Sequence, residues 1–216
     1  MMKQDRENPW KTIKLSDYES HMKLEDVHQL QALHDMMKSQ LNAYSVKTGM
    51  ILGVAGGNGL DHVRPEQFER VYGVDINADY LAECTRRYGH LKPFRPIEAD
   101  LTCDGLRLPC ADLLLANLLI EYIGCENFLR AVKLVDPQYV SCIIQVNGVR
   151  ESFISESPYL HAFDRLAQVY HQVSESLLTG TMEEGCYQMI LKEEQKLPNG
   201  KKLVRLDYEK KGDPKS

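Results

Sequence analysis

Apolar positions along this chain change their period several times, and each change marks an element. Leu24, Val27, Leu30, Leu33, Met37 and Leu41 recur at steps of three and four, so residues 24–43 are expected to form a helix with one apolar face. Upstream, Ser16 and Glu19 have the spacing of a capping box, which predicts a helix start at Ser16. After Gly49 the periodicity vanishes: residues 50–55 read Met-Ile-Leu-Gly-Val-Ala, apolar without alternation, as in a strand buried on both faces.

Strand and helix patterns then alternate. Residues 70–75 read as a second strand and 79–88 as a helix with Tyr80, Leu81 and Cys84 facing inward. Pro93 and Pro96 push a third strand, 92–99, towards a sheet edge. A fourth strand at 111–116, a helix at 126–134 and a fifth strand at 139–146 follow. This order predicts an α/β protein with a parallel sheet between two helical layers. The end differs, because residues 187–197 and 202–209 flank Pro198-Asn199-Gly200 as the arms of an antiparallel hairpin. Between fifth strand and hairpin, residues 148–185 are too many for a bare connection. A helical insertion is expected there, starting at Ser157-Pro158, with Phe163, Leu166, Val169, Tyr170 and Val173 covering part of the sheet or a cleft. No Gly-, Ser- or Pro-rich linker divides the chain, so residues 1–216 are taken as one domain whose first 48 residues form an N-terminal helical segment.

With 43% apolar and 26% charged residues, wholesale disorder is excluded. A net charge of −5 provides no global pull towards phosphate backbones, which argues against a long nucleic-acid footprint. The longest nearly apolar run, 111–120, carries Asp112 and Asn117 and is too short to cross a bilayer. The polar N-terminus lacks a signal-peptide pattern, and the six cysteines contain no Cys-x-x-Cys pair, so reduced thiols and a cytoplasmic location are expected. His28 and His34 show no consistent ligand spacing, and no metal is assigned.

Ala55, Gly56, Gly57, Asn58 and Gly59 follow the first buried strand and precede a helix expected to start near residue 59. Glycines at such a turn let backbone approach a ligand, and the helix N-terminus offers unpaired N–H groups to an anion. Asp75 ends the second strand, where a carboxylate can accept from both hydroxyls of a ribose, and Asp100 ends the third. In an open parallel sheet all three features share the carboxyl edge.

With these residues in place, the chain from about residue 50 to 209 resembles the class I S-adenosylmethionine-dependent methyltransferases. The resemblance rests on Gly-Val-Ala-Gly-Gly-Asn-Gly, Tyr-Gly-Val-Asp-Ile-Asn, Ile-Glu-Ala-Asp-Leu, Asp-Leu-Leu-Leu-Ala-Asn-Leu-Leu and the terminal hairpin. It implies a Rossmann-like, three-layer sandwich whose mostly parallel seven-stranded sheet has an antiparallel C-terminal strand, inserted between the fifth and sixth, with N-terminal helices packed on it. By position it implies that Gly57 and Gly59 hold the methionine part of S-adenosylmethionine, Asp75 the ribose and Asp100 the adenine amino group. Ala55, Gly56, Asn58, Ile76, Leu101 and Asn117 would complete the cofactor site. Two departures stand out: Gly53 occupies the place of a usual acidic residue, and Ala55 replaces the first glycine. A nicotinamide fingerprint does not fit, since His62 stands where a third glycine would allow close helix packing.

The acceptor side is less specific. Glu121, in Asn117-Leu118-Leu119-Ile120-Glu121-Tyr122, is one reading of a general base, and His21 on the N-terminal helix another. Tyr18, one helical step from His21, and Tyr122 and Tyr159 are expected against the acceptor. The implied activity is methyl transfer to a small molecule or a side chain. Two alternatives are a catalytically inert binding module and an RNA-modifying enzyme using Lys201, Lys202, Arg205, Lys210 and Lys211.

Overall fold

The computed structural model describes residues 8–147 and 153–212. The start of the insertion, 148–152, and the termini lie outside the described residues. Among the described residues five α-helices, α1 (Leu15–Lys23), α2 (Gln29–Asn42), α3 (Ala78–Tyr88), α4 (Ile120–Val135) and α5 (Glu175–Glu184), accompany seven strands. The strands are β1 (Thr48–Leu52), β2 (Arg70–Asp75), β3 (Phe94–Glu98), β4 (Leu113–Asn117), β5 (Tyr139–Val146), β6 (Tyr187–Lys196) and β7 (Lys202–Lys210). They form one sheet in the order β3-β2-β1-β4-β5-β7-β6. β1 to β5 pair in parallel, while β7 runs antiparallel to both β5 and β6. This is the Rossmann-like methyltransferase fold, with its reversed last strand inserted before the edge.

Side-chain alternation along the strands explains the layers. Met50, Leu52, Leu114 and Ala116 pack with α4 and α5 on one face. Ile51, Leu113 and Leu115 pack with Met37 and Leu41 of α2 and with Leu81 and Cys84 of α3 on the other. β3, whose prolines exclude it from a central place, lies at the edge. Among the described residues no helix is long and apolar enough to cross a membrane.

Five local expectations are corrected. The apolar stripe of residues 24–43 crosses a break: α1 stops at Lys23, His28 turns left-handed at φ 51°, and α2 starts at Gln29. Val27, in the break, is as buried as the helical residues, so periodicity reported burial and not backbone. Ser16 lies inside the first turn and caps nothing, since α1 begins after Lys14 without a side-chain cap. The helix expected at residue 59 shrinks to a 3-10 turn, Leu60–His62. Its continuation meets Arg64-Pro65, where the ring disfavours helical backbone at the preceding residue. Likewise the segment after Ser157-Pro158 is a 3-10 stretch, Leu160–Gln168, and the insertion's α-helix is α5, capped by Ser174 through Leu177 N at 3.1 Å. α4 starts earlier than expected and kinks at Gly124, whose φ is 77°.

A buried polar chain bolts α2 across the sheet. Arg205 holds Asp207 through Nε at 2.9 Å and Nη2 at 2.5 Å. The hydroxyls of Ser141 and Tyr44 also donate to Asp207. Gln40 then donates to Ser141 Oγ at 2.9 Å and exchanges amide bonds of 2.8 and 3.0 Å with Asn117. Of the five basic residues around the hairpin, four are buried or paired, and Lys211 is exposed. Arg205 and Lys201 are buried, Lys202 pairs with Glu194, and Lys210 pairs with Asp136.

Candidate functional site

Two pockets open at the carboxyl edge of the sheet and share Trp10, Tyr18, Leu118 and Tyr122 as a common wall. The first lies over the ends of β1, β2 and β4. Gly53, at φ 70°, lets the chain double back so that Gly53 N and Val54 N both donate to Val74 O, at 2.8 and 3.0 Å. Asp75 then locks the bend: Oδ2 accepts from Ala55 N and Oδ1 from Asn77 N, both at 2.9 Å. Burial raises the pKa of this carboxyl, and the N–H bonds work against the rise. Each carboxylate oxygen can accept a further bond. Ile76, Tyr80, Ala99, Asp100, Leu101 and Asn117 also line this cleft. Asp100 accepts from Thr102 N at 2.9 Å and Thr102 Oγ1 at 2.6 Å through one oxygen only. The Tyr80 hydroxyl is buried without a partner among the described residues.

The glycine bend is placed differently from expectation. Gly57 and Gly59 have φ of 88° and 86°, and a Cβ on either would strike Tyr88 and Cys84, or Met37. They are demanded by packing against α3 and α2 and do not line the cleft. A smaller hollow behind the loop is lined instead by Ala55, Gly56, Asn58, Glu19 and Asn117. There Asn58 donates to Leu30 O at 2.9 Å, and Asn117 is held by Gln40. Glu19, freed from any capping duty, grips Arg87 with bonds of 2.5 and 3.0 Å, and Arg87 also reaches Gly56 O at 3.3 Å.

The second pocket brings together Glu121 and His21, the two residues the sequence offered for proton transfer. Glu121, in the first turn of α4, is 4% exposed. Its Oε1 accepts from Gln145 N at 2.8 Å, whereas Oε2 is buried with no partner among the described residues. Burial pushes this carboxyl up to about 7. Opposite, His21 Nδ1 meets Ser157 Oγ at 2.8 Å, and burial together with the Lys201 charge lowers the imidazole to about 4, so the ring is neutral. Aromatic rings surround the pair. Trp10 stands edge-on to Tyr122 at 4.9 Å and to Tyr18 at 5.7 Å, Phe153 stacks on Tyr170 at 4.2 Å, and Phe163 lies 5.0 Å from the His21 ring. Tyr159 is not in this wall: its N–H bonds Ser157 Oγ at 3.2 Å and its ring packs with Ile13, Phe163 and Leu166 outside the pocket.

Trp10, Gln29, Gln145 and Phe153, all in the wall, were not singled out in the sequence, since they come from four separate segments without a shared period, whereas Tyr170 belongs to the apolar stripe expected to cover the sheet or a cleft. Trp10, the chain's one tryptophan, is the member that its rarity and size could have flagged.

Neither protein-family models nor curated proteins give a match. Solved structures do match in fold. Magnesium protoporphyrin IX methyltransferase (ChlM) from Synechocystis PCC 6803, with bound SAM, superposes with a TM-score of 0.65 at 9% identity, covering 97% of this chain and 100% of that one. The N-methyltransferase NodS from Bradyrhizobium japonicum WM9, in complex with S-adenosyl-L-homocysteine, gives 0.64 at 11% identity, with 97% and 100% coverage. The [4+2]-cyclase SpnF gives 0.62 at 10%, with 83% and 81% coverage. At such identities the likeness establishes the fold, and the cyclase illustrates that one fold carries different chemistries.

Proposed function

We propose that this protein transfers the methyl group of S-adenosylmethionine to a small-molecule acceptor that carries an N–H or O–H nucleophile. The observation that carries the reading is the pair of unmatched buried polar atoms, Tyr80 OH in one pocket and Glu121 Oε2 in the other, on either side of a shared aromatic wall. A buried polar atom without a partner costs about 1–3 kcal/mol, and a ligand group that satisfies it recovers that cost.

The residues present fit the cofactor in the first cleft. Asp75 and the Tyr80 hydroxyl would hold the ribose, Asp100 the adenine amino group, and Ile76 with Leu101 the faces of the base. Gly53 removes the usual acidic anchor, but the Glu19–Arg87 pair beside Gly56 offers one charge of each sign to the ammonium and carboxylate of the methionine part. The bound cofactor supplies an already activated sulfonium methyl, so alignment of the acceptor contributes more than a strong catalytic group. Glu121, ionised above about 7, takes the proton that the acceptor releases. Neutral His21, too weak a base at about 4, orients the acceptor by hydrogen bonding. The ring faces of Trp10, Tyr18 and Tyr122 favour positive charge passing from one pocket to the other.

A second reading, an inert binding module, draws support from Gly53 and from the protein-covered faces of Gly57 and Gly59. Calorimetry with S-adenosylhomocysteine separates the two when coupled to a turnover assay over protic acceptors. Micromolar binding with turnover sustains the transferase and removes the inert module; binding without turnover over a broad panel, or no heat at millimolar ligand, removes the transferase and leaves the module.

A further inference from the structure

Outside these pockets, one cluster of metal-ligating side chains faces solvent on the α2 side of the sheet. His34 lies on α2; Asp61 and His62 lie on the 3-10 turn that follows Gly59. One donor atom from each of the three lies within 4.8 Å of the others. His34 Nε2 is 2.9 Å from Asp61 Oδ2, His34 Nδ1 is 3.3 Å from His62 Nε2, and the two ring centroids are 4.2 Å apart.

We infer that His34, Asp61 and His62 form a binding site for a divalent transition metal, zinc above all, that clamps α2 to the glycine bend. The donor set argues for the metal class. Two imidazole nitrogens and one carboxylate oxygen suit Zn²⁺ and its neighbours, whereas Mg²⁺ and Ca²⁺ call for oxygen-rich shells. Distances argue for feasibility. A tetrahedral zinc at ~2.0–2.1 Å from its ligands sets them about 3.3 Å apart. One donor atom from each residue already lies within 4.8 Å of the others, and since the two shortest contacts use different nitrogens of His34, its ring must turn to present a single nitrogen to the metal. The side chains have room for it, since His34 is 36% and Asp61 49% exposed. The frame beneath them is fixed. Leu60, between donor and glycine, is fully buried, His62 N bonds Gly59 O at 3.1 Å, and Met37, one turn along α2 from His34, packs on Gly59. Three protein ligands leave the fourth position open to water. Nothing local in the sequence announces the set, because its members are 27 residues apart and meet only when α2 lies along the turn.

The test uses the full chain, stripped with chelator, and metal alone as probe. Titration with ZnCl₂ should show one site per chain, Co²⁺ should give the visible absorption of a tetrahedral N/O site, and zinc should raise Tm by mass action. His34→Ala and His62→Ala should each weaken zinc by more than about a hundredfold, beyond what loss of an outer hydrogen bond costs. The His34 side chain is 36% exposed and that of His62 15%, and unchanged metal-free Tm and circular dichroism would verify that the variants fold. Exposed Cys103, Cys110 and Cys186 are the competing zinc ligands. No binding at micromolar zinc would overturn the inference. So would binding that survives both histidine variants and disappears when the three cysteines are replaced by serine.

Discussion

The two pockets face each other across Tyr18 and Tyr122, yet they are built by opposite means. The cleft holding Asp75 and Asp100 is made of consecutive strand ends, and parallel register places them: Leu52 pairs with Val74 on one side and with Ala116 on the other. Its charged groups are already engaged by backbone N–H and hydroxyl donors. The pocket around Glu121 is instead assembled from Trp10, α1, the start of α4, the end of β5 and the insertion, and its one carboxylate is left half satisfied. One region is a property of the fold; the other is a property of this chain. Under the proposed function, that contrast assigns cofactor binding to the first pocket and acceptor specificity to the second.

The contrast breaks most sharply at Glu121. Replacing it by Gln keeps shape and volume but removes the proton acceptor. Turnover should fall by about 10²–10⁴-fold while the Kd for S-adenosylhomocysteine stays unchanged, as read by single-turnover kinetics and calorimetry. A parallel loss of cofactor affinity would mean that the pockets are not separable. In the wild type kcat/KM should rise with pH and level off above about 7, where Glu121 is ionised.

The same group should appear in stability. Its folded pKa, about 7, lies above the ordinary value of 4.5, so the folded state holds the proton more tightly. Glu121 therefore contributes stability that is fully present below about 4.5 and is lost as pH rises through about 7. The loss amounts to about 3 kcal/mol, and Glu121→Gln should remove that part of the slope from denaturant midpoints measured across the range. An identical slope in the variant would assign the pH dependence elsewhere.

Asp75→Asn probes the other side. An amide cannot accept from both Ala55 N and Asn77 N, so one buried donor loses its partner and the ribose loses a charged acceptor. About 2 kcal/mol, or roughly thirtyfold in cofactor Kd by calorimetry, is expected. The rate of the cofactor-saturated enzyme should change less than this.

What was legible follows from the same division. β2 and β5 were delimited correctly because buried strands show as apolar runs between turn residues, and the edge position of β3 followed from Pro93 and Pro96. Asp75 and Asp100 were legible since strand ends on one edge converge by topology alone. Gly57 and Gly59 were legible as a glycine-requiring bend, but their contacts were not: left-handed φ and the closeness of Tyr88, Cys84 and Met37 call for glycine at both places. Tyr159 stands just before the 3-10 stretch Leu160–Gln168 and packs with Ile13, Phe163 and Leu166 instead of lining the pocket. Where a side chain's partner lies a hundred residues away, as for His21 and Ser157, no local pattern could indicate it.

The smallest expected effect concerns Glu19, which the capping-box pattern had assigned to its own helix. Its carboxylate instead crosses to Arg87 and lines the hollow behind Ala55 and Gly56. If that ion pair receives the charged ends of the methionine part, Glu19→Gln should weaken S-adenosylhomocysteine by about tenfold, ~1.4 kcal/mol. The variant should leave 5′-methylthioadenosine, which lacks those ends, bound as before. Equal weakening of both ligands would show that Glu19 acts by bracing the loop through Arg87 and Gly56, and the methionine part would then need another anchor. The two-ligand comparison thus separates recognition of charge from support of backbone, a distinction that a single affinity cannot make.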